Sequence, residues 1–454
     1  MNKNFLLNSD LATRLYDGVS RLPIVDYHNH LSLAEISQNK RFTNVYDLWI
    51  KPDPYKHRAM RMCGISERYI TGEADEFEKF KAWCTVFPNL VGNPLYIWSL
   101  VELENVFGIS DIPSENNAEQ IYQQANAFLE DNNITVEYLM DMFRVELACP
   151  CAGITDDISM FYKTEKFSPS MRGDDMLNIS TDFIAKLEDV TGMQIESLKD
   201  FETAVKSRLD KFQIAGLRFA DHALDNGFLY FEDDGKNGDR FLAHIEGNCD
   251  AEETARLASY ILTFLGKEYA KRNIVLQLHI GAQRYTSSKL RKEVGPAGGF
   301  AGIGNSVDVR SLVTFLDVLD QGDFGLPKTI LFTLNPSDNA LFSVLSGSFA
   351  KEGVSGLITQ GPAWWWCDHE YGIYEVLENS MAYGLLSNFI GMTTDSRSFL
   401  SFTRHDYFRR ILCNFIADKF EKNKLCCNYE DLEKLVYRLC YENAIGGKKD
   451  DVSR

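Results

Sequence analysis

Eight times along the chain a short apolar run ends in polar or charged residues and gives way to a stretch with helical spacing. The runs are LPIVDYHNH (22–30), VELACPCAGITDD (145–157), FSPSMRGD (167–174), IAGLRFADHA (214–223), IVLQLHIGAQR (274–284), TILFTLNPSDN (329–339), GLITQGPAWWW (356–366) and LLSNFIGMTTDSRS (385–398). Between them apolar residues recur with helical period, as in AEETARLASYILTFLGKEYAKR (251–272) and SVDVRSLVTFLDVLD (306–320). Short buried strands alternating with amphipathic helices predict parallel strands joined by right-handed crossovers. Eight such units predict an α/β fold closed as a (β/α)8, TIM-like barrel. The polar end of each run then falls at the C-terminal ends of the strands, where such a barrel builds its active site.

One connection breaks the rhythm. The first and second runs are separated by far more chain than a βα unit needs. Segments within it, such as SENNAEQIYQQANAFLEDNN (114–133), have helical spacing with one solvated face. Three parts are therefore expected. Residues 1–30 form an N-terminal helix and the first strand, and 31–144 a mostly helical insertion capping the barrel mouth. Residues 145–454 form the remaining barrel and C-terminal helices. The stretch KPDPYKHRAMRMCG (51–64) is rich in tyrosine, histidine and arginine for a mere scaffold.

Composition narrows the function. Hydrophobic residues make up 45% and charged residues 25% of the 454, the mix of a globular protein with a large core. A formal charge of -18 argues against nucleic acid or an anionic membrane as partner, since both call for a basic surface. An anionic substrate would need a local arginine cluster to override that field. Ten cysteines are scattered without a disulfide framework or a paired CxxC spacing, so reduced thiols are expected. With no signal-peptide core and no run long enough to cross a bilayer, the expected location is the cytoplasm. A homo-oligomer is compatible with an enzyme of this size.

The sharpest local signal is His28-Asn29-His30 at the end of the first run. In a strand, residues i and i+2 face one side, and two neutral imidazoles together suit a borderline metal such as zinc. Asp395 ends the eighth run, beside the first in a closed barrel. It is placed to add a third ligand and leave open positions for substrate, or to cap the helix after it. His279 ends the fifth run as a fourth ligand, a substrate donor or an acid–base group. Of Asp221 and His222, alternation lets one face the lumen, and Asp221 is the expected one. Arg172 and Arg397 offer planar donor forks matching a carboxylate. Trp364, Trp365 and Trp366 put half of the six tryptophans in one triplet, a wall for a sugar face or a piece of core.

These residues belong to a longer pattern. IVDYHNHL, RFTNVYDLWIK, YKHRAMR, GNPLYIW, TDD (155–157), DHALD, FLGKEYAKR, LHIGAQR, LPKTILFTLNP and TDSRSFLSFTRHDYFRRILCNF span nearly the whole chain. With them the sequence resembles the uronate (glucuronate) isomerases of the amidohydrolase superfamily. The resemblance implies one divalent metal ion, zinc, held by His28, His30 and Asp395. It further implies that Tyr55 and Arg58 reach in from the insertion. Arg172, Asp221, His279, Trp364, Trp365 and Arg397 would line a hexuronate pocket. Asp395, Tyr55, Arg397 and His279 become the catalytic candidates for moving a proton between C2 and C1 through an enediol.

The chain departs from the family pattern at Pro54, at His57, and at Trp366-Cys367-Asp368-His369. Its glycine-rich loop 295–305 also differs, and lacks the GK[ST] ending of a phosphate-binding loop. Two other readings are a metal-dependent hydrolase or deaminase of the same superfamily and a non-catalytic sugar-acid-binding barrel. Against the first, no lysine ends the fourth run, no histidine ends the sixth, and HIGAQR lacks the deaminase glutamate. Against the second, metal triad and arginines are intact.

Overall fold

The computed structural model describes residues 4–225, 228–296 and 298–446. Seven parallel strands pair in strict chain order: β1 (Ile24–Asn29), β2 (Val145–Gly153), β3 (Ser170–Arg172), β4 (Phe219–Leu224), β5 (Val275–Ile280), β6 (Thr329–Thr333) and β7 (Ile358–Gln360). All-parallel strands are covered on both faces, which is why β6, TILFT, is buried at every position. The fold is α/β, with the sheet curled as a TIM-like barrel. An inner cluster of Val25, Tyr27, Leu147, Cys149, Phe219, Ile330 and Phe332 fills its interior. The helices pack outside around a second, larger core.

The eighth run corrects the sequence expectation, because it forms no regular strand. Leu386–Asn388 is a 3-10 turn, and residues 390–396 run beside β1 in irregular conformation. The His30 amide donates to the Ser396 carbonyl (2.8 Å) and the Asp395 amide to that of His28 (3.2 Å). Side chains complete the junction. Asp26, fully buried, accepts from the Thr394 amide (2.6 Å), from the Thr394 hydroxyl (2.7 Å) and from the Thr393 hydroxyl (3.0 Å). An antiparallel pair, Ala282–Gln283 with Gly302–Ile303, was also not foreseen.

Helix ends follow local chemistry. The helix Ala251–Arg272 starts behind Asp250, whose side chain accepts the Glu253 amide, and carries acids in its first turn and bases in its last. The chain between β1 and β2 is helical, including Pro54–Met62, Glu76–Val86, Pro94–Phe107 and Ala118–Asp131. An N-terminal helix, Asp10–Val19, lies against Thr403–Glu421. Among the described residues no helix is long and apolar enough to cross a membrane.

Candidate active site

Strand register sets the floor of the site. Gly153, Arg172, Asp221 and Gln277 lie side by side across β2 to β5, with His279 one step further toward the strand ends, opposite Phe332. Above them opens a cavity bordered by His28, His30, Tyr55, Arg172, His279, Trp364, Trp365, Asp395 and Arg397. It therefore gathers residues from β1, β3, β5, the β7 loop, the irregular eighth segment and the insertion.

At its centre Asp395 Oδ1 lies 3.0 Å from His30 Nε2 and 3.3 Å from His28 Nε2. Its other oxygen accepts the Trp364 indole N–H at 2.8 Å. Burial disfavours the Asp395 anion, yet hydrogen bonds and charge from the two histidines bring its pKa well below the carboxylate range. Burial opposes charge on His28 too, but Cys151, Asp221 and Asp395 raise it well above its ordinary value. Asp395 sits at φ +48° and Trp365 at φ +52°, left-handed backbone that side chains other than glycine rarely adopt. Two such residues in one cavity wall mark a backbone held in place by its surroundings.

The buried histidine and aspartate cluster could bind a metal. Two ligands about 2.0–2.1 Å from a tetrahedral centre stand about 3.3 Å apart, close to both Asp395–histidine separations. Imidazole nitrogen and carboxylate oxygen are ligands zinc accepts. Two groupings each place one donor atom per residue within 4.8 Å of the others, namely His28, His30 and Cys151, and His28, Asp221 and His279. In the latter, His279 Nε2 and Asp221 Oδ2 are buried without a hydrogen-bond partner among the described residues. His279 stacks on Phe332 (ring centroids 4.4 Å apart), and burial, with His28 beside it, holds it neutral, well below its ordinary pKa.

The arginines differ. Arg172 is clamped by Asp174 (2.7 Å) and faces Asp221 at 3.4 Å. Arg397 is exposed and, among the described residues, has no carboxylate partner. Arg284, quoted only as part of a motif in the sequence, also borders the cavity, with Nε 3.1 Å from Asp225.

The insertion's contribution starts with a helix cap. Asp53 accepts the Tyr55 amide at 2.9 Å, Pro54 takes the first helical turn, and buried Lys56 joins Asp53 (2.6 Å) to Glu102 (3.3 Å). That network aims Tyr55 at the cavity. Its hydroxyl is buried and has no hydrogen-bond partner among the described residues, and burial raises its pKa well above 10. Arg58 does not border the cavity. It donates to the carbonyls of Gly299 and Ala301 (3.2 Å each) and lies over the Trp366 ring, pinning the loop that closes one side. Asp221 likewise lies beneath the cavity rather than on its wall, while His222 points away to the Tyr269 hydroxyl at 2.9 Å.

Sequence reading missed Cys151. Its sulfur lies 3.7 Å from His28 Nδ1 and 3.6 Å from Asp221 Oδ1. Its place near the C-terminal end of β2 is the signal that could have found it.

A family model described as glucuronate isomerase matches residues 1–446. The uronate isomerase of Bacillus licheniformis is 40% identical over 457 residues, covering 98% of this chain and 96% of that protein. That of Clostridium perfringens is 37% identical over 457 residues, covering 98% of each. The crystal structure of uronate isomerase from Thermotoga maritima superposes with a TM-score of 0.91 at 29% identity, covering 98% of each chain. With a family model matching residues 1–446 and relatives 37–40% identical over nearly their whole length, the chain belongs to the uronate isomerase family.

Proposed function

We propose that the chain interconverts D-glucuronate with D-fructuronate and D-galacturonate with D-tagaturonate, moving a proton between C2 and C1 through an enediol. The observation that carries this chemistry is the pairing, in one cavity, of an ionised carboxylate with a neutral phenol. Asp395 is held in its basic form and Tyr55 in its protonated form, its hydroxyl unspent among the described residues. That is the division a proton shift between adjacent carbons needs.

Asp395 takes the proton from C2, and Tyr55 supplies one at C1. The aldehyde oxygen gains a proton and the C2 hydroxyl loses one, leaving a ketone at C2. Arg397, without a carboxylate of its own, balances the charge of the enediolate. Arg172, its plane fixed by Asp174, faces the substrate carboxylate, and Trp364 and Trp365 wall the sugar. His279, neutral and stacked, offers a hydrogen bond to a substrate oxygen. The insertion 31–144 acts as a cap through Tyr55 and the loop Arg58 holds. His28, His30 and Asp395 would hold one divalent ion, zinc, which when bound anchors substrate hydroxyls and polarises an oxygen. Ten free cysteines fit a reducing compartment, and we place the enzyme in the cytoplasm.

Turnover in D2O tests the roles. The wild-type enzyme should carry solvent deuterium into C1 of the ketose, and Asp395→Asn should lower kcat by about 10²–10⁴-fold. Tyr55→Phe should slow both turnover and exchange. Unchanged exchange in Tyr55→Phe removes the phenol from the mechanism.

A further inference from the structure

We propose that Cys151 is a positioning residue for the metal site, holding His28 in the tautomer that carries its proton on Nδ1 and leaves Nε2 to bind the ion. This rests on the reading of His28, His30 and Asp395 as ligands. The His28 ring divides two environments. Nε2 faces Asp395 at 3.3 Å, on the side where His28, His30 and Asp395 border the cavity. Nδ1 faces Cys151 Sγ at 3.7 Å and Asp221 Oδ1 at 3.9 Å, and neither Cys151 nor Asp221 borders the cavity.

A neutral imidazole has one N–H and one lone pair. With sulfur and carboxylate oxygen gathered on the Nδ1 side, the N–H belongs there. The Cys151 S–H is placed to donate onward to Asp221 Oδ1 at 3.6 Å, and Asp221 Oδ2 lies 3.4 Å from Arg172. The chain His28–Cys151–Asp221–Arg172 thus runs beneath the floor, from the metal site to the arginine proposed to face the substrate carboxylate. Histidine ligands commonly donate their other N–H to such an acceptor, which fixes the ring and raises its basicity.

A competing geometry exists, since one nitrogen each of His28 and His30 lies within 4.8 Å of the other and of Cys151 Sγ. In that arrangement the thiolate would itself be a ligand. The cavity side argues against it, because an ion on the Nδ1 face would sit away from the substrate.

The test compares wild type, Cys151→Ala and Cys151→Ser for zinc affinity by chelator competition, with the near-ultraviolet spectrum of the cobalt(II) form. Cys151→Ala should bind zinc about 10–100-fold more weakly, and Cys151→Ser, which keeps a hydrogen-bonding group, should lose less. Metal-free Cys151→Ala should keep the wild-type Tm, and cobalt(II) wild type should show no intense sulfur-to-metal charge-transfer band. Zinc affinity unchanged in Cys151→Ala overturns the proposal. So does a charge-transfer band in wild type that Cys151→Ser lacks, which would make Cys151 a ligand. If His28→Asn binds zinc as tightly as wild type, the metal reading itself falls, and this inference with it.

Discussion

Neighbouring residues in β4 meet opposite environments. Asp221 turns inward beneath His28, and burial with Cys151 alongside raises its pKa to about 7 despite Arg172. His222 turns outward onto Tyr269, so close to Gly173 that a Cβ there would stand 2.0 Å from the imidazole. Burial pushes His222 down to about 4, although Asp174 and Asp221 oppose it. Above about pH 6.5 the group is neutral folded and unfolded, and contributes nothing to pH dependence. Below that the unfolded chain takes a proton the folded one refuses, so stability falls by about 1.4 kcal/mol per pH unit until pH nears 4. The stability advantage of wild type over His222→Gln should therefore shrink on going from pH 6.5 to 4.5, by on the order of 2 kcal/mol. Urea unfolding at each pH measures it, and a pH-independent difference would contradict the assignment. That the two face opposite ways was legible from strand alternation, though alternation alone did not say which turns inward. That Arg172 would be clamped and Arg397 left free was not, since Asp174 pairs with Arg172 through a turn that spacing does not reveal.

At the scale of elements, the irregular eighth segment shows where pattern reading stopped. An apolar run with a polar end looks like a strand, and seven of eight such runs contain one. The eighth adds side chains to two backbone hydrogen bonds, with Thr393 and Thr394 folded onto Asp26 and His405 at 3.3 Å on the same carboxylate. No periodicity encodes a carboxylate replacing a ladder. Burial alone would raise the pKa of Asp26, but His405 and Thr394 bring it below the ordinary carboxylate value. Asp26→Ala should cost about 3–5 kcal/mol by leaving these buried donors unpaired. Because the same segment carries Asp395, zinc affinity should fall with it. Chemical denaturation together with metal titration checks both. A loss below about 1 kcal/mol would mean the segment is held by something else.

Across the whole molecule, an acidic chain presents a site suited to an anion. Its charge of -18 coexists with Arg172, Arg284 and Arg397 around one cavity, where Asp174 and Asp221 pair with Arg172 and Asp225 with Arg284. The helical chain between β1 and β2 reaches that cavity through Tyr55, and through Arg58 and Arg61 bound to carbonyls of the loop at 298–301. Gly299, at φ +81°, has the Pro54 carbonyl 2.4 Å from where a Cβ would stand, so insertion and loop meet backbone to backbone. The family assignment makes uronate isomerisation the activity of the chain, and metal dependence is what the proposed triad would add to it. The most direct measurement is ketose formation from D-glucuronate and D-galacturonate by the purified protein as isolated, after chelation, and after zinc or manganese is restored. The account predicts turnover of at least one acid, lost on chelation and in His28→Asn and regained with the ion. Absence of turnover with either acid in metal-loaded protein would contradict it.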